Sequence, residues 1–123
     1  NNTIVIVEED AFLRRLYELK FTEQKFSVKT AEDGQAGLEL VKEFKPALVL
    51  LDIELPKRDG FSVLQELKGN NETKDIQVLM LTNLSTQEAI DKARSLGAAD
   101  YIIKAHFLPS EVVAKALDCI EKR

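Results

Sequence analysis

Five short apolar runs, each followed by a stretch of helical spacing, constrain this 123-residue chain more than any other feature. The runs are Thr3–Val7, Phe26–Ala31, Ala47–Leu51, Ile76–Thr82 and Tyr101–Lys104. The third is unbroken, which suits a strand buried on both faces. The second alternates apolar and polar, which suits a half-exposed strand. Predicted helix faces lie between and after them: Phe12, Leu13, Leu16 and Leu19; Ala36, Leu40, Val41 and Phe44; Phe61, Leu64 and Leu67; and Val112, Val113, Ala116, Leu117 and Ile120. Asp10 is placed to cap the first helix, and Asp33-Gly34 marks a turn before the second. Pro46 bars the second helix from continuing. The third helix should run from Asp59 or Gly60 to Lys68 and stop at Gly69-Asn70-Asn71. Ser85-Thr86-Gln87-Glu88 reads as a capping box opening the fourth helix, with Gly97 at its end. Pro109 fits the first turn of the last.

Strand alternating with helix five times implies an α/β fold, a parallel sheet with helices on both faces. Right-handed crossovers leave few topologies. The flavodoxin-like (βα)5 three-layer sandwich, with strand order 2-1-3-4-5, is the expected one. Strands one and three are then neighbours at the switch point, where ligands gather at the carboxyl ends. The length suits one domain. A net charge of −4 without a basic cluster argues against direct nucleic-acid binding. No apolar run is long enough for a membrane span, and no signal peptide is visible. A single cysteine, Cys119, permits no internal disulfide and fits a reducing, cytoplasmic setting. The chain begins Asn1-Asn2 without methionine and ends Glu121-Lys122-Arg123 at a predicted helix end, which leaves room for a linker in a longer parent.

Polar groups follow the apolar runs at the same edge of such a sheet. Glu8, Glu9 and Asp10 follow strand one, and Asp52 follows strand three. Thr82 ends strand four and Lys104 ends strand five. Carboxylates crowded this way repel unless a proton or a cation intervenes. An all-oxygen site, partly water, selects Mg²⁺ or a similar hard ion such as Mn²⁺. Asp52 would attack phosphorus in line, with the metal, Lys104 and Thr82 stabilising the moving oxygens. Taken singly, each group also has a plain structural reading: a solvated acidic turn with a helix cap, a β-branched strand residue, a strand-end lysine. Their joint placement at four strand ends favours the site.

Four segments carry a resemblance: Ile4-Val5-Ile6-Val7-Glu8-Glu9-Asp10, Leu50-Leu51-Asp52-Ile53-Glu54-Leu55-Pro56-Lys57-Arg58-Asp59-Gly60, Leu81-Thr82 and Gly97-Ala98-Ala99-Asp100-Tyr101-Ile102-Ile103-Lys104. The chain resembles the receiver domain of two-component response regulators over essentially its whole length, 1–123. The resemblance implies a signalling switch rather than a turnover enzyme. Asp52 would be the phospho-acceptor, fed by a sensor histidine kinase or a phosphotransfer protein. Mg²⁺ would be held by Glu9, by Asp52 and by the Glu54 backbone carbonyl, with Glu8 and Asp10 contributing through water. Thr82 and Lys104 would contact the phosphoryl group. Thr82 would move toward it while Tyr101 turns inward. The surface of helix four, strand five and helix five would then repack for a downstream effector or a homodimer.

Two positions depart from the family pattern. Glu9 stands where the direct metal ligand is usually Asp, and the extra methylene shifts its carboxylate by about 1.5 Å. Mg²⁺ tolerates such misplacement poorly. Ala105 stands where Pro usually follows the strand-five lysine through a cis peptide. A cis bond before a non-proline residue is costly. We therefore expect a trans Lys104–Ala105 bond and an altered loop that threatens the placement of Lys104. Both departures leave room for an alternative, a degenerate pseudo-receiver that binds partners without phosphorylation. A flavodoxin-like cofactor binder is weaker, because acids replace a glycine-rich phosphate loop after strand one. His106 reads as a solvent-facing loop residue, and Cys119 as structural. Lys92, Arg94, Asp100 and Lys115 either pair across a dimer or solvate the surface.

Overall fold

The computed structural model describes residues 1–122. Five parallel strands form one sheet in the order β2-β1-β3-β4-β5. They are β1 (Thr3–Val7), β2 (Ser27–Ala31), β3 (Leu48–Leu51), β4 (Gln77–Thr82) and β5 (Asp100–Ile103). The helices are α1 (Ala11–Glu23), α2 (Gly34–Phe44), α3 (Gly60–Lys68), α4 (Gln87–Ser95) and α5 (Pro109–Glu121). The order is the one expected, and β1 and β3 pair from Ile4↔Leu48 to Val7↔Leu51. Their carboxyl ends therefore emerge side by side.

Alternate strand residues feed two cores. Val5, Val7, Val49, Leu51, Val78 and Met80 face α2, α3 and α4. Ile4, Ile6, Leu48, Leu50, Leu79, Leu81 and Ile102 face α1 and α5. Every residue of β3 is buried, which explains its unbroken apolar run.

Several helix faces differ from expectation. α1 buries Tyr17 and Phe21 and leaves Phe12 74% and Leu19 44% exposed. The helix is turned by about a third of a turn from the face its leucines suggest. The i, i+4 pair of aromatic rings offers the sheet more apolar area than the leucines do. α2 buries Leu38 and Val41, whereas Phe44 is 38% exposed. Gly37 sets this rotation: a Cβ there would lie 2.6 Å from Val7 Cγ2, so the helix rests its bare backbone on β1. The cap of α4 is Thr86 rather than Ser85, its side chain accepting from the Ala89 N–H at 3.2 Å. Lys104 lies outside β5, opening a 3₁₀ turn, Lys104–His106. The Lys104–Ala105 peptide is trans, as are all described peptide bonds.

Candidate functional site

The acids after β1 are held by local hydrogen bonds. Asp10 caps α1 through Oδ1, 2.9 Å from the Leu13 N–H. Its own N–H donates to Glu8 Oε2 at 3.0 Å, which turns the Glu8 carboxylate inward. Arg14, one turn into α1, donates to the Glu8 carbonyl at 2.9 Å and the Glu9 carbonyl at 3.1 Å. Glu8 is 2% exposed, while the Glu9 side chain is exposed.

Asp52 leaves β3 next to Glu8 and is 6% exposed. Its two oxygens have different surroundings. Oδ1 accepts from the Ile53 N–H at 2.7 Å and the Glu54 N–H at 3.3 Å. Oδ2 accepts from Lys104 Nζ at 2.7 Å. Gly60 lies against the backbone here; a Cβ at that position would sit 2.1 Å from the Asp52 carbonyl oxygen. The start of α3 thus fits against the strand end that carries Asp52.

Lys104 reaches across from β5 and also ion-pairs with Glu8 Oε1. This contact is buried on both sides. The electrostatics follow. Burial raises the Glu8 pKa; Lys104 and the Asp10 N–H oppose this, and the nearby Asp52 charge adds to it. Burial alone would lower the Lys104 pKa, but its bonds to Asp52 and Glu8 outweigh that and raise it. One ammonium therefore serves two buried carboxylates.

An open cleft of about 570 Å³ lies above the group, lined by Glu8, Glu9, Asp10, Leu13, Asp52, Glu54, Asn83 and Lys104. The chain thus brings together most of the predicted site. Thr82 and Tyr101 do not line the cleft; Thr82 is fully buried, its hydroxyl accepting from the Leu84 N–H at 3.3 Å. Tyr101 is partly buried, and its hydroxyl donates to the Leu84 carbonyl. Burial, then the Asp52 and Glu54 charges, raise its pKa.

No three His, Cys, Asp or Glu side chains among the described residues form a ready-made metal cluster, and Lys104 contacts both Glu8 and Asp52. The donors nevertheless suit a hard divalent cation. They are carboxylate and carbonyl oxygens, and Glu9 faces the same cleft without a side-chain partner among the described residues.

Two residues of this site escape a reading by residue type. Arg14 and Asn83 both act on backbone groups: Arg14 on two carbonyls, and Asn83 Oδ1 on the Ala105 N–H at 3.1 Å. The i+5 and i+6 spacing of Arg14 from the acids was the only signal for the first. Elsewhere, His106 is exposed. Cys119 is half-buried, its thiol donating to Gln77 Oε1 at 2.7 Å, and burial, then Asp100 and Asp118, raise its pKa. Lys92 and Lys115 lie over the rings of Phe61 and Phe107 at 4.4 and 5.2 Å. Among the described residues, Lys92, Arg94, Asp100 and Lys115 make no ion pair within the chain.

The sequence matches the family model for the response regulator receiver domain over residues 4–117. The chain belongs to this family. The receiver is 37% identical over 112 residues to a probable transcriptional regulator ycf27 of Porphyridium aerugineum, covering 91% of this chain and 45% of that protein. It is 37% identical over 101 residues to the DNA-binding dual master transcriptional regulator RpaA of a Synechocystis strain, covering 82% and 42%. The receiver thus spans less than half the length of these curated relatives. The BeF3-activated N-terminal receiver domain of Klebsiella pneumoniae RstA superposes with a TM-score of 0.87 at 29% identity, covering 97% of this chain and 98% of that one. The Vibrio cholerae chemotaxis protein CheY4, at 22% identity, TM-score 0.86 and coverage of 96% and 97%, shares the fold. No helix of the described receiver is long and apolar enough to cross a membrane.

Proposed function

We propose that this receiver is a phosphorylation-dependent switch that takes a phosphoryl group from a histidine kinase, or a phosphotransfer protein, onto Asp52. The observation that carries the reading is the meeting of Asp52, Glu8 and Lys104, from three separate strand ends, beneath one open cleft. With Oδ1 held by two backbone N–H groups, Oδ2, which faces Lys104, is the nucleophilic oxygen. It attacks the phosphorus of a phosphohistidine; the O–P bond forms as the P–N bond breaks, and the imidazole leaves with a proton. Lys104, already at Oδ2, transfers its hydrogen bond to a phosphoryl oxygen. The Thr82 hydroxyl turns from Leu84 toward the same group. Water later attacks the acyl phosphate and returns Asp52.

Glu9, Asp52 and the Glu54 carbonyl would hold Mg²⁺ or Mn²⁺, with Glu8 and Asp10 acting through water. Bound there, the ion offsets the charge of the carboxylates and of the arriving phosphoryl oxygens. The Tyr101–Leu84 hydrogen bond ties β5 to the loop after Thr82, which supports a coupled change at the α4–β5–α5 face. That face is the proposed surface for an effector or a second copy. The names of the longer relatives support transcriptional control as the output of a longer parent.

The test is incubation with Mg²⁺ and acetyl phosphate, followed by intact-mass measurement. One phosphate adduct in the wild type, absent in Asp52→Asn, is expected. A wild type that takes up no phosphate and binds no Mg²⁺ at millimolar concentration would leave only the phosphorylation-independent binding module.

A further inference from the structure

Ala105 lacks the ring that would fix the backbone after Lys104, yet Lys104 still reaches both carboxylates. The structure contains a contact that accounts for this. The Ala105 N–H donates to Asn83 Oδ1 at 3.1 Å across 22 residues of chain. Asn83 directly follows the last residue of β4, and Ala105 directly follows Lys104. The β4–β5 pairing ends at Thr82↔Ile103. The Asn83 side chain therefore continues that pairing past its last rung, and Lys104 sits between the rung and the clip. Little else holds the turn. Its own bond, from the Phe107 N–H to the Lys104 carbonyl, is long at 3.3 Å, and no side chain caps its start. A proline at 105 would have no N–H to offer, so the clip exists only with a residue such as alanine there. Asn83 is exposed and lines the cleft, so the contact does not serve core packing.

We propose that Asn83 is a positioning residue: by holding the Ala105 amide it pins the Lys104 turn to the end of β4 and keeps the Lys104 ammonium between Glu8 and Asp52. Its consequence for phosphoryl transfer rests on the phospho-acceptor reading; its effect on Lys104 does not.

Three readouts compare the wild type with Asn83→Ala and Asn83→Asp: hydrogen exchange of the Ala105 amide by NMR, acylation of Lys104 by an amine-reactive ester followed by peptide mass spectrometry, and phosphorylation by acetyl phosphate with Mg²⁺. In Asn83→Ala, Ala105 exchange and Lys104 acylation each speed up about fivefold, the scale of one ordinary hydrogen bond. Phosphorylation slows by a similar factor, while the melting temperature and the acylation of other lysines stay unchanged. Asn83→Asp keeps an acceptor oxygen and keeps the Ala105 amide protected. Lys104 acylated at the wild-type rate in Asn83→Ala overturns the proposal. A wild type that takes up no phosphate removes the phospho-acceptor reading, and the exchange and acylation rates still decide the role of Asn83.

Discussion

At the scale of the residue, the site is a charge imbalance: two buried carboxylates, Glu8 and Asp52, share one ammonium. Burial raises the Glu8 pKa above its ordinary value of 4.5, so the folded state holds the proton more tightly than the unfolded chain does. The associated stability is present in full below 4.5 and is lost as pH rises through the raised value. Glu8→Gln keeps the shape without the charge. We expect this variant to melt above the wild type at pH 7, with the gap closing as pH falls toward 4.5. Thermal melts across that range check it; a gap that widens on acidification would contradict the assignment. These acids were legible from sequence because each ends an apolar run, and a parallel sheet lines up such ends. Asn83 and Arg14 were not, because each binds backbone atoms whose position depends on the finished fold. The burial of Thr82 was equally invisible, since β-branched residues suit strand ends with or without a task.

At the scale of the element, strands were read more securely than helix faces. Apolar runs locate strands directly, whereas α1 carries more apolar residues than one face can bury. The structure resolves that surplus, and stability measurements can check the choice. Phe21 is fully buried and meets Phe26 edge-on at 6.2 Å between ring centroids. Phe21→Ala should lose about 3–5 kcal/mol. Phe12→Ala, at 74% exposure, should change urea stability by less than about 0.5 kcal/mol. Similar losses for both would mean the helix faces the sheet as its leucines suggest. The junction of β3 and α3 links an element to the chemistry. Gly60→Ala drives a methyl into the Asp52 carbonyl, so the strand end or the helix start must shift. We expect a loss of about 1–3 kcal/mol, the usual range for overpacking, together with slower phosphorylation at Asp52. Gly69→Ala, whose Cβ meets the Gln65 and Glu66 carbonyls at 3.3 and 3.8 Å, is the control that should retain the phosphorylation rate. An unchanged rate in Gly60→Ala would show that α3 does not position the nucleophile.

At the scale of the whole molecule, the proposed metal binding would be linked to folding through the same acids. The cleft exists only when β1 and β3 are paired, so an ion that needs Glu9, Asp52 and the Glu54 carbonyl together binds the folded chain and not the unfolded one. At ten times its dissociation constant such an ion adds about 1.4 kcal/mol. For a domain of this size that is a rise of about 5 °C in melting temperature. The raised Glu8 pKa makes the rise depend on pH, because Glu8 must be ionised to contribute through water. Melts with Mg²⁺ against Na⁺ at matched ionic strength should show the full rise at pH 7.5. The rise should be smaller near pH 5 and smaller again in Asp52→Asn. If the longer arm of Glu9 weakens binding, the rise would need more Mg²⁺ but the same pattern would hold. Equal rises at both pH values and in Asp52→Asn would place the ion elsewhere on the surface. The strand ends would then form a buried cluster of two carboxylates and one ammonium with no role for a metal.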